Sequence, residues 1–421
     1  MNYEEARAYL ENYTWSKSRN GLVRMKELMN RLGDPHKGLR FVHVAGSNGK
    51  GSTCAMLASV LQAAGYRTGL YISPHIEDFR ERIQLNGENI PEDRLTEITG
   101  RLRSAVESME GHPSWFEMVT AVAFCYFLEE KCDIVVLETG MGGEFDCTNI
   151  IDAPEAAVLT NIGLEHREFL GDTLEEIAGT KSGIIKPGCI AVAYDNQPEV
   201  RAVIERKARE CAVPLVFADP SEVRLTGRNL DGQKFEWKGG EYHLPLHGEH
   251  QLRNVSVVLE TVRALRMQGW IIPDEAVRQG LADVRWPARF EILSRKPLFI
   301  LDGGHNMQCA QAAAESIREY LPDDKVTLLI GIQEHKDYMG VLDTLLPVTE
   351  KCCCVTPPGG KGLPAAELAE IIIGRGVPAV SFESISEAVR CCMEEDNPVL
   401  AFGSLYTAGE IRTEYRILQN Q

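Results

Sequence analysis

The stretch Val-Ala-Gly-Ser-Asn-Gly-Lys-Gly-Ser-Thr, residues 44–53, places a lysine inside a glycine-rich turn. A β-branched run at 41–44 precedes this turn, and a segment with apolar residues at helical spacing, 52–64, follows it. A phosphate-binding loop requires this order, because the glycines let backbone N–H groups converge on phosphate oxygens and the lysine reaches the outer phosphates. The first glycine stands two places late and Gly51 replaces a hydroxyl residue, so the loop is a variant of the usual pattern.

Around this loop, short β-branched runs alternate with amphipathic segments, which is typical of a parallel sheet covered by helices. The first series of runs lies at 41–44, 67–72, 134–138, 156–160 and 190–193, and 227–243 interrupts it as a small β excursion. A second series follows a polar link at 294–297 and lies at 298–301, 325–330, 352–355, 379–382 and 398–402. The pattern predicts an α/β protein with two domains, residues 1–295 and 296–421.

The bulk composition excludes several classes of function. A net charge of −17 repels nucleic acids and anionic membranes. The longest apolar runs fall short of the ~20 residues that cross a bilayer, and the acidic N-terminus does not resemble a secretory signal. The twelve cysteines show no Cys-x-x-Cys spacing, so core thiols in a reducing compartment are favoured over a metal or disulfide framework. A cytoplasmic protein is expected.

Polar residues that follow the predicted strands are candidate ligands for a divalent metal, which phosphoryl transfer usually needs. Glu138 ends the apolar run at 134–137, so its carboxylate should lie at the carboxyl edge of the sheet, although it could instead cap a turn. Ser73 and His166 follow two other strands, and each is as consistent with a structural role as with a functional one. Lys181, by composition alone, reads as a solvated helix lysine.

Taken together, eight stretches in order resemble the folylpolyglutamate synthases, a branch of the Mur ligase family whose members often also act as dihydrofolate synthases. They lie at 43–53, 73–83, 138–151, 161–188, 246–260, 286–293, 301–306 and 403–412. The resemblance implies a Mur-ligase-like P-loop ATPase domain, with a mainly parallel sheet between helices, followed by a smaller Rossmann-like C-terminal domain. It also accounts for Gly51, because the loop of this family normally reads Gly-Thr-Asn-Gly-Lys-Gly-Ser.

The resemblance implies an acid–amino-acid ligase that uses ATP, L-glutamate and a folate, with no nucleic-acid or membrane partner; a monomer is expected. The folate carboxylate would be phosphorylated to an acyl phosphate, which the amino group of glutamate then attacks. Domain closure would use residues 286–297 as a hinge. Two magnesium ions are implied, and the lysine matching Lys181 carries a carbamate in relatives. The implied magnesium ligands are Ser73, Glu138, His166 and Lys181. The implied catalytic residues are Lys50, Glu138, His166 and Lys181.

The same resemblance assigns the remaining binding residues. ATP would contact Asn48, Gly49, Lys50, Gly51, Ser52, Asn254, Arg289 and Asp302. The pterin end of the folate would contact Phe116, Glu117 and Asp146.

Several of these side chains, and the neighbouring His305, also have a structural interpretation. Phe116 could be a core aromatic and Glu117 an N-cap partner. Asn254 could be a polar residue near a helix start, Arg289 a surface ion-pair partner, Asp302 a turn former and His305 a helix cap.

Several positions depart from the family pattern. Glu144 stands where arginine is common, Glu165 replaces aspartate, Thr180 replaces glutamate, Lys361 stands where arginine is frequent, and residues 333–337 replace a stricter acid-Lys-Asp run. These changes leave the glutamate-binding end and the chain-length preference open. Two other functions also remain open at this stage: a ligase of the same family that acts on a non-folate acid, and a nucleotide-binding regulator without ligase activity.

Overall fold

The computed structural model describes residues 1–12, 22–334, 338–360 and 362–419. The strands are β1 Phe41–Ala45, β2 Thr68–Tyr71, β3 Ile83–Leu85, β4 Glu88–Asn89, β5 Ile134–Glu138, β6 Ala156–Leu159, β7 Ile190–Tyr194, β8 Leu215–Ala218, β9 Arg224–Asn229, β10 Gly232–Trp237, β11 Gly240–Leu244, β12 Glu291–Arg295, β13 Leu298–Asp302, β14 Val326–Ile330, β15 Thr349–Cys354, β16 Ala379–Ser381 and β17 Val399–Phe402.

The helices alternate with these strands over most of the chain. They are α1 Tyr3–Glu11, α2 Val23–Arg31, α3 Lys50–Ala63, α4 Glu92–Glu107, α5 Trp115–Glu129, α6 Arg167–Leu170, α7 Leu174–Ser182, α8 Pro198–Glu210, α9 Glu249–Met267, α10 Asp274–Asp283, α11 Met307–Tyr320, α12 Tyr338–Leu345, α13 Ala365–Ile373, α14 Ile385–Met393 and α15 Leu405–Gln419. Within the ranges described, no helix is long and apolar enough to cross a membrane.

The first sheet has the strand order β4-β3-β2-β5-β1-β6-β7-β8. Its strands run parallel except at the β4 edge, where β3 pairs antiparallel with both neighbours. Successive side chains of β1 point to opposite faces, so Val42 packs in the cluster containing α3 and α9 while Phe41 packs in the cluster containing α5. The sheet therefore lies between two helical layers, as predicted.

The second sheet has the order β12-β13-β17-β14-β15-β16 and is parallel apart from β12. The five predicted strands of the second series are all present. The sixth, β12, pairs antiparallel with β13, so the predicted boundary near residue 296 falls inside a hairpin. The predicted polar link at 294–297 is therefore not a linker between domains: residues 294–295 end β12 and residues 296–297 form the turn of that hairpin.

The chain passes from one core to the other over a few residues before β12. Trp286 packs against the core of the first sheet, whereas Ala288 and Phe290 belong to the two clusters around the second. Both Ala288 and Phe290 have positive φ angles, 53° and 46°. After this crossing, residues that follow the carboxyl ends of strands in both main sheets line a common space.

Candidate active site

The phosphate-binding loop joins the central strand β1 to the N-terminus of α3, as predicted. Two of its glycines are required by neighbours that lie far away in sequence. A Cβ on Gly49, which has a φ of 84°, would lie 2.5 Å from Oδ1 of Asn254. A Cβ on Gly51 would lie 2.4 Å from Cζ2 of Trp286. The glycine that replaces the usual hydroxyl residue therefore makes room for the tryptophan beside the interdomain crossing.

The Lys50 ammonium lies across its own loop. Its Nζ donates to the carbonyl oxygens of Gly46 at 2.9 Å and Ser47 at 3.3 Å. The first turn of α3 has no side-chain cap, so its backbone N–H groups and this ammonium face the same space. An anion bound there would contact both the backbone N–H groups and the ammonium.

Lys181 is buried, which overturns its interpretation as a solvated lysine. Only 1% of its side chain is exposed, and its Nζ donates to Glu165 Oε1 at 2.7 Å and to the Gly46 carbonyl at 2.8 Å. Burial lowers the pKa of Lys181 to about 8; Glu165 acts against this shift and Lys50 adds to it. Lys50 and Lys181 thus share the Gly46 carbonyl and approach the loop from two sides.

Glu165 forms the acidic part of this arrangement. Burial alone would raise the pKa of Glu165, but the charges of Lys50 and Lys181 outweigh it and lower that pKa to about 2. The residue therefore remains a carboxylate throughout the neutral range. A carboxylate paired with a buried ammonium satisfies both charges, which an apolar interior would otherwise disfavour.

The carboxylate of Glu138 lies at the end of β5, next to the end of β2. It is 4% exposed and accepts a hydrogen bond from the Ser73 N–H at 3.0 Å. Burial raises the pKa of Glu138, and Lys50 and the Ser73 N–H oppose the rise. His166, at the start of α6, is exposed and has a φ of 44°. It borders the cavity between the two sheets. Within the described ranges, no group of three or more His, Cys, Asp or Glu side chains is arranged to hold a metal ion.

Helix α9 supplies a buried amide pair behind the loop. Asn254 Nδ2 donates to Gln251 Oε1 at 3.1 Å, and Gln251 Nε2 donates to Ser52 Oγ at 3.3 Å. Asn254 is buried near the start of α9, as its structural interpretation expects, and its amide also packs against Gly49 of the loop. Gln251 lies inside the stretch 246–260, but nothing in the local sequence distinguishes it from the other polar residues there.

The second domain contributes Asp302, at the end of β13. Its carboxylate accepts hydrogen bonds from the N–H groups of Gly304 at 2.7 Å and Phe290 at 3.0 Å, so it fixes the crossing segment. Burial raises the pKa of Asp302, while Arg289 opposes the rise. Arg289 Nη1 donates to the Ala288 carbonyl at 3.1 Å, and within the described ranges it forms no salt bridge.

Asn306 rather than His305 caps α11. Its Oδ1 accepts from the Cys309 N–H at 2.9 Å, and its Nδ2 donates to Asn48 Oδ1 at 3.2 Å. Asn48 also hydrogen-bonds to Gln308. The phosphate-binding loop therefore contacts the start of a helix from the other domain, a contact that sequence spacing could not reveal.

The three residues expected to hold a pterin lie behind this cavity and do not line it. Phe116 packs against Gly140, where a Cβ would lie 2.4 Å from its ring. Glu117 closes a capping box with Ser114 and pairs with Arg24 at 3.3 Å, as its structural interpretation anticipated.

Asp146 is also engaged by the protein itself. It accepts hydrogen bonds from the Met141 N–H and from the N–H and hydroxyl of Thr148, at 2.6–3.0 Å. Its carboxylate is thus committed to fixing its own loop.

The departures from the family pattern have different environments. Glu144 is exposed, and its N–H donates to the Thr180 carbonyl at 2.8 Å. Gln333 borders the cavity. His335, Lys336, Asp337 and Lys361 lie outside the described residues.

The cavity between the two sheets has a volume of about 590 Å³. The residues that line it from the first domain include Asn48, Lys50, Ser52, Ser73, Glu138, Glu165, His166 and Asn254; those from the crossing and the second domain include Trp286, Arg289, Asp302, Gln308, Ser404 and Tyr406. It is large enough for a nucleotide or a drug-sized ligand. The ATP residues inferred from the sequence are therefore brought together at one place, along with the candidate magnesium residues Ser73, Glu138 and His166.

Comparison with known proteins agrees with this geometry. The family profile described as the Mur ligase middle domain matches residues 44–262, and that described as the Mur ligase glutamate ligase domain matches residues 288–405. The second match begins at the crossing segment.

Full-length relatives give the same result. The chain is 38% identical to the dihydrofolate synthase/folylpolyglutamate synthase of Bacillus subtilis, over 82% of each chain, and 33% identical to the folylpolyglutamate synthase of Lacticaseibacillus casei, over 98% of each. A solved structure described as an FPGS–AMPPCP–folate complex superposes with a TM-score of 0.86 at 31% identity, covering 99% of this chain and 100% of that one. The chain belongs to the Mur ligase family, in the branch of the folylpolyglutamate and dihydrofolate synthases.

Proposed function

We propose that the protein joins L-glutamate to the γ-carboxylate of a reduced folate at the expense of ATP. The observation that carries this proposal is the cavity that the phosphate-binding loop, Glu138 and the second domain's Asp302 all line. An ATP-dependent ligase needs such a meeting point, because an unactivated carboxylate does not react with an amine until a phosphoryl group has been transferred to it. The AMPPCP and folate of the related complex support the choice of substrates.

In this proposal the chain mainly positions reactants and stabilises charge. The N–H groups of the first turn of α3 and the Lys50 ammonium bind the phosphate chain, with Asn48, Gly49, Gly51 and Ser52 shaping the loop. The folate carboxylate attacks the γ-phosphorus of ATP and ADP leaves; the amino group of glutamate then attacks the acyl carbon and phosphate leaves. Asn254, Arg289 and Asp302 hold the nucleotide from two sides. No nucleophile of the protein is required.

Of the four candidate magnesium ligands, Lys181 can bind the metal only if its side chain is chemically modified. Glu138 offers a buried carboxylate and Ser73 a hydroxyl oxygen, both of which are ligand types that Mg²⁺ accepts, and His166 borders the same space. Bound magnesium would neutralise charge on the transferring phosphoryl group. Lys181 as an ammonium has no lone pair for a metal, so its place in this set requires that its nitrogen carries a carboxylate.

The lowered pKa of Lys181 favours that change. Carbamate formation begins with a neutral amine that attacks CO₂. With a pKa of about 8, roughly a quarter of Lys181 is neutral at pH 7.5, against about 0.1% for an ordinary lysine. We therefore include a carbamate on Lys181 and a second magnesium ion in the proposal. A ¹³C NMR signal from protein equilibrated with ¹³C-bicarbonate, absent in Lys181→Met, would support it; identical spectra would refute it.

The experiment that tests the activity uses purified protein with ATP, magnesium, L-glutamate and tetrahydrofolate. Mass spectra that show stepwise addition of glutamate, abolished in Lys50→Ala, are the expected result. ATP turnover that is indifferent to folates would refute the proposal and favour a ligase for another acid.

Dihydropteroate is a second proposed acceptor, because the Bacillus subtilis relative is named for both activities. The same assay with dihydropteroate in place of tetrahydrofolate tests it. Cytoplasmic location and a monomeric state stay predictions. The pterin contacts of Phe116, Glu117 and Asp146 also stay predictions, and they would require rearrangement of the contacts described above.

A further inference from the structure

A short segment of the first domain rests on the last helix of the second. Residues 73–78 leave the end of β2 and lead into the turn at Phe79–Arg82. Ile76 in this segment packs against the hydrophobic cluster of the second domain that contains Leu405, Ala408 and Ile411. Helix α15 comes so near that a Cβ on Gly409 would lie 2.1 Å from the Ile76 carbonyl oxygen. The mid-helix glycine therefore permits a close contact between the domains.

Charged groups reinforce this contact. Arg412 on α15 is 13% exposed and donates to both carboxylate oxygens of Glu291 at 2.9–3.1 Å within its own domain. Its remaining terminal nitrogen donates to Glu77 of the first domain. Glu77 also accepts from Thr413 Oγ1 at 3.1 Å and from Arg416 at 3.0 Å. We call Ile76, Glu77, Gly409 and Arg412 the clasp.

The clasp is joined to the active site through a short, internally braced piece of chain. The carboxylate of Glu81 accepts hydrogen bonds from the N–H groups of Ile76 at 2.7 Å, Glu77 at 3.2 Å and Asp78 at 3.0 Å. Four residues before Glu77, the Ser73 N–H donates to Glu138 at 3.0 Å. A displacement of α15 would therefore reach the Glu138 carboxylate through few rotatable bonds.

The other side of the clasp is joined to the same cavity. Helix α15 begins at Leu405, and Gly403, Ser404, Leu405 and Tyr406 line the cavity opposite Ser73 and Ile76. Ion pairs that are largely excluded from water, as here, hold geometry better than exposed pairs, because screening is weaker and the partners are already ordered. The clasp therefore joins the two segments, residues 73–76 and 403–406, that line the cavity from the two domains.

We propose that Glu77 and Arg412 are positioning residues for the ligase reaction. They hold the second domain against residues 73–78 so that Ser73 and Glu138, on one wall, face Asp302 and Ser404, on the other. The proposal rests on the proposed function for its kinetic consequence, but its structural consequence does not depend on any substrate. Neither residue touches the phosphate-binding loop, so nucleotide binding and catalysis should respond differently to their loss.

The test compares Glu77→Gln with Glu319→Gln. Glu319 on α11 pairs with Arg228 on β9, which is another ion pair between the domains but one that does not involve residues 73–78. We expect Glu77→Gln to lower kcat about tenfold while the KM for ATP stays within about threefold, as is typical when a coupling contact is lost. Amide hydrogen exchange at residues 73–78 should quicken. Glu319→Gln should change neither kcat nor this exchange.

Two results would overturn the proposal: unchanged exchange and kcat in Glu77→Gln, or equal effects of the two substitutions. If Glu77→Gln fails to fold, Arg416→Gln removes a donor to Glu77 at an exposed site and should give a smaller change of the same kind. Hydrogen exchange needs no substrate. It therefore tests the clasp even if the unmodified protein adds no glutamate to folates, an outcome that would count against the proposed function alone.

Discussion

Substitution of Gly51 by alanine tests the reason found for the unusual phosphate-binding loop. The new Cβ would lie 2.4 Å from Cζ2 of Trp286, whereas unstrained carbon atoms lie about 3.5–4.0 Å apart. The indole would have to move by at least about 1 Å, and with it the crossing segment that carries Arg289. Since Gly51 lies in the first turn of α3, a change of backbone propensity alone would predict a small gain in stability.

The magnitude follows from these opposing effects. Alanine in a helix gains about 0.5–1 kcal/mol over glycine, but forcing extra atoms into a packed site costs about 1–3 kcal/mol. We expect the free energy of unfolding to fall by up to about 2.5 kcal/mol. A shift of about 1 Å near reacting groups is enough to lower kcat/KM by up to about 100-fold.

Two variants make this experiment decisive. Gly100→Ala lies inside α4 with nothing within 4 Å of the new Cβ, so it should gain stability and leave activity unchanged. Trp286→Phe removes the clashing part of the ring and should restore much of the stability of Gly51→Ala in the double variant. Urea denaturation and steady-state glutamylation measure both effects. If Gly51→Ala behaves like Gly100→Ala, the steric argument fails.

The remaining predictions concern the buried charges. Lys181→Met should lower kcat by at least about 100-fold in the glutamylation assay, since it removes the amino group that joins Glu165 to the Gly46 carbonyl of the loop. Activity within tenfold of the unmodified protein would contradict this role. The pKa of Glu165 is about 2 in the folded protein, below its ordinary value, so its contribution to stability is present above pH 4.5 and is lost as pH falls toward 2. Between pH 5 and pH 3 the unmodified protein should therefore lose about 2 kcal/mol that Glu165→Gln does not lose, as measured by urea unfolding at both values. Asp302→Asn should lower the free energy of unfolding by about 1–3 kcal/mol, because the Phe290 and Gly304 N–H groups bind different carboxylate oxygens and an asparagine side chain has only one oxygen that accepts. An unchanged urea midpoint would show that these hydrogen bonds contribute little.

Local periodicity was sufficient to predict the central strands of both sheets. The runs at β1 and β14 are mostly apolar and every residue in them is buried, because both faces of a parallel sheet are covered. The pattern does not distinguish the short strand β8 or the strand β12, whose last two residues lie in the predicted polar link, because the half-exposed residues of β12 form no long apolar run. Edge strands are defined by their pairing partner, and a partner is a property of the fold.

The site shows the same division between local and distant causes. The loop and the acidic end of β5 are visible in sequence because each depends on a few consecutive residues. The environment of Lys181 is not, because α7 is only partly apolar and the partners of the ammonium come from Gly46 and Glu165 on separate loops. The family resemblance implied a role for Lys181. Only the structure shows that the residue is buried, which explains why its pKa is lowered.

The position of Trp286 has an optical consequence. Its half-buried indole touches the phosphate-binding loop on one side and continues into the crossing segment on the other. The wavelength of indole fluorescence depends on the polarity around the ring. In a variant whose four other tryptophans are replaced by phenylalanine, separation of the two sheets would therefore shift the emission maximum of Trp286, and the shift could be followed in real time.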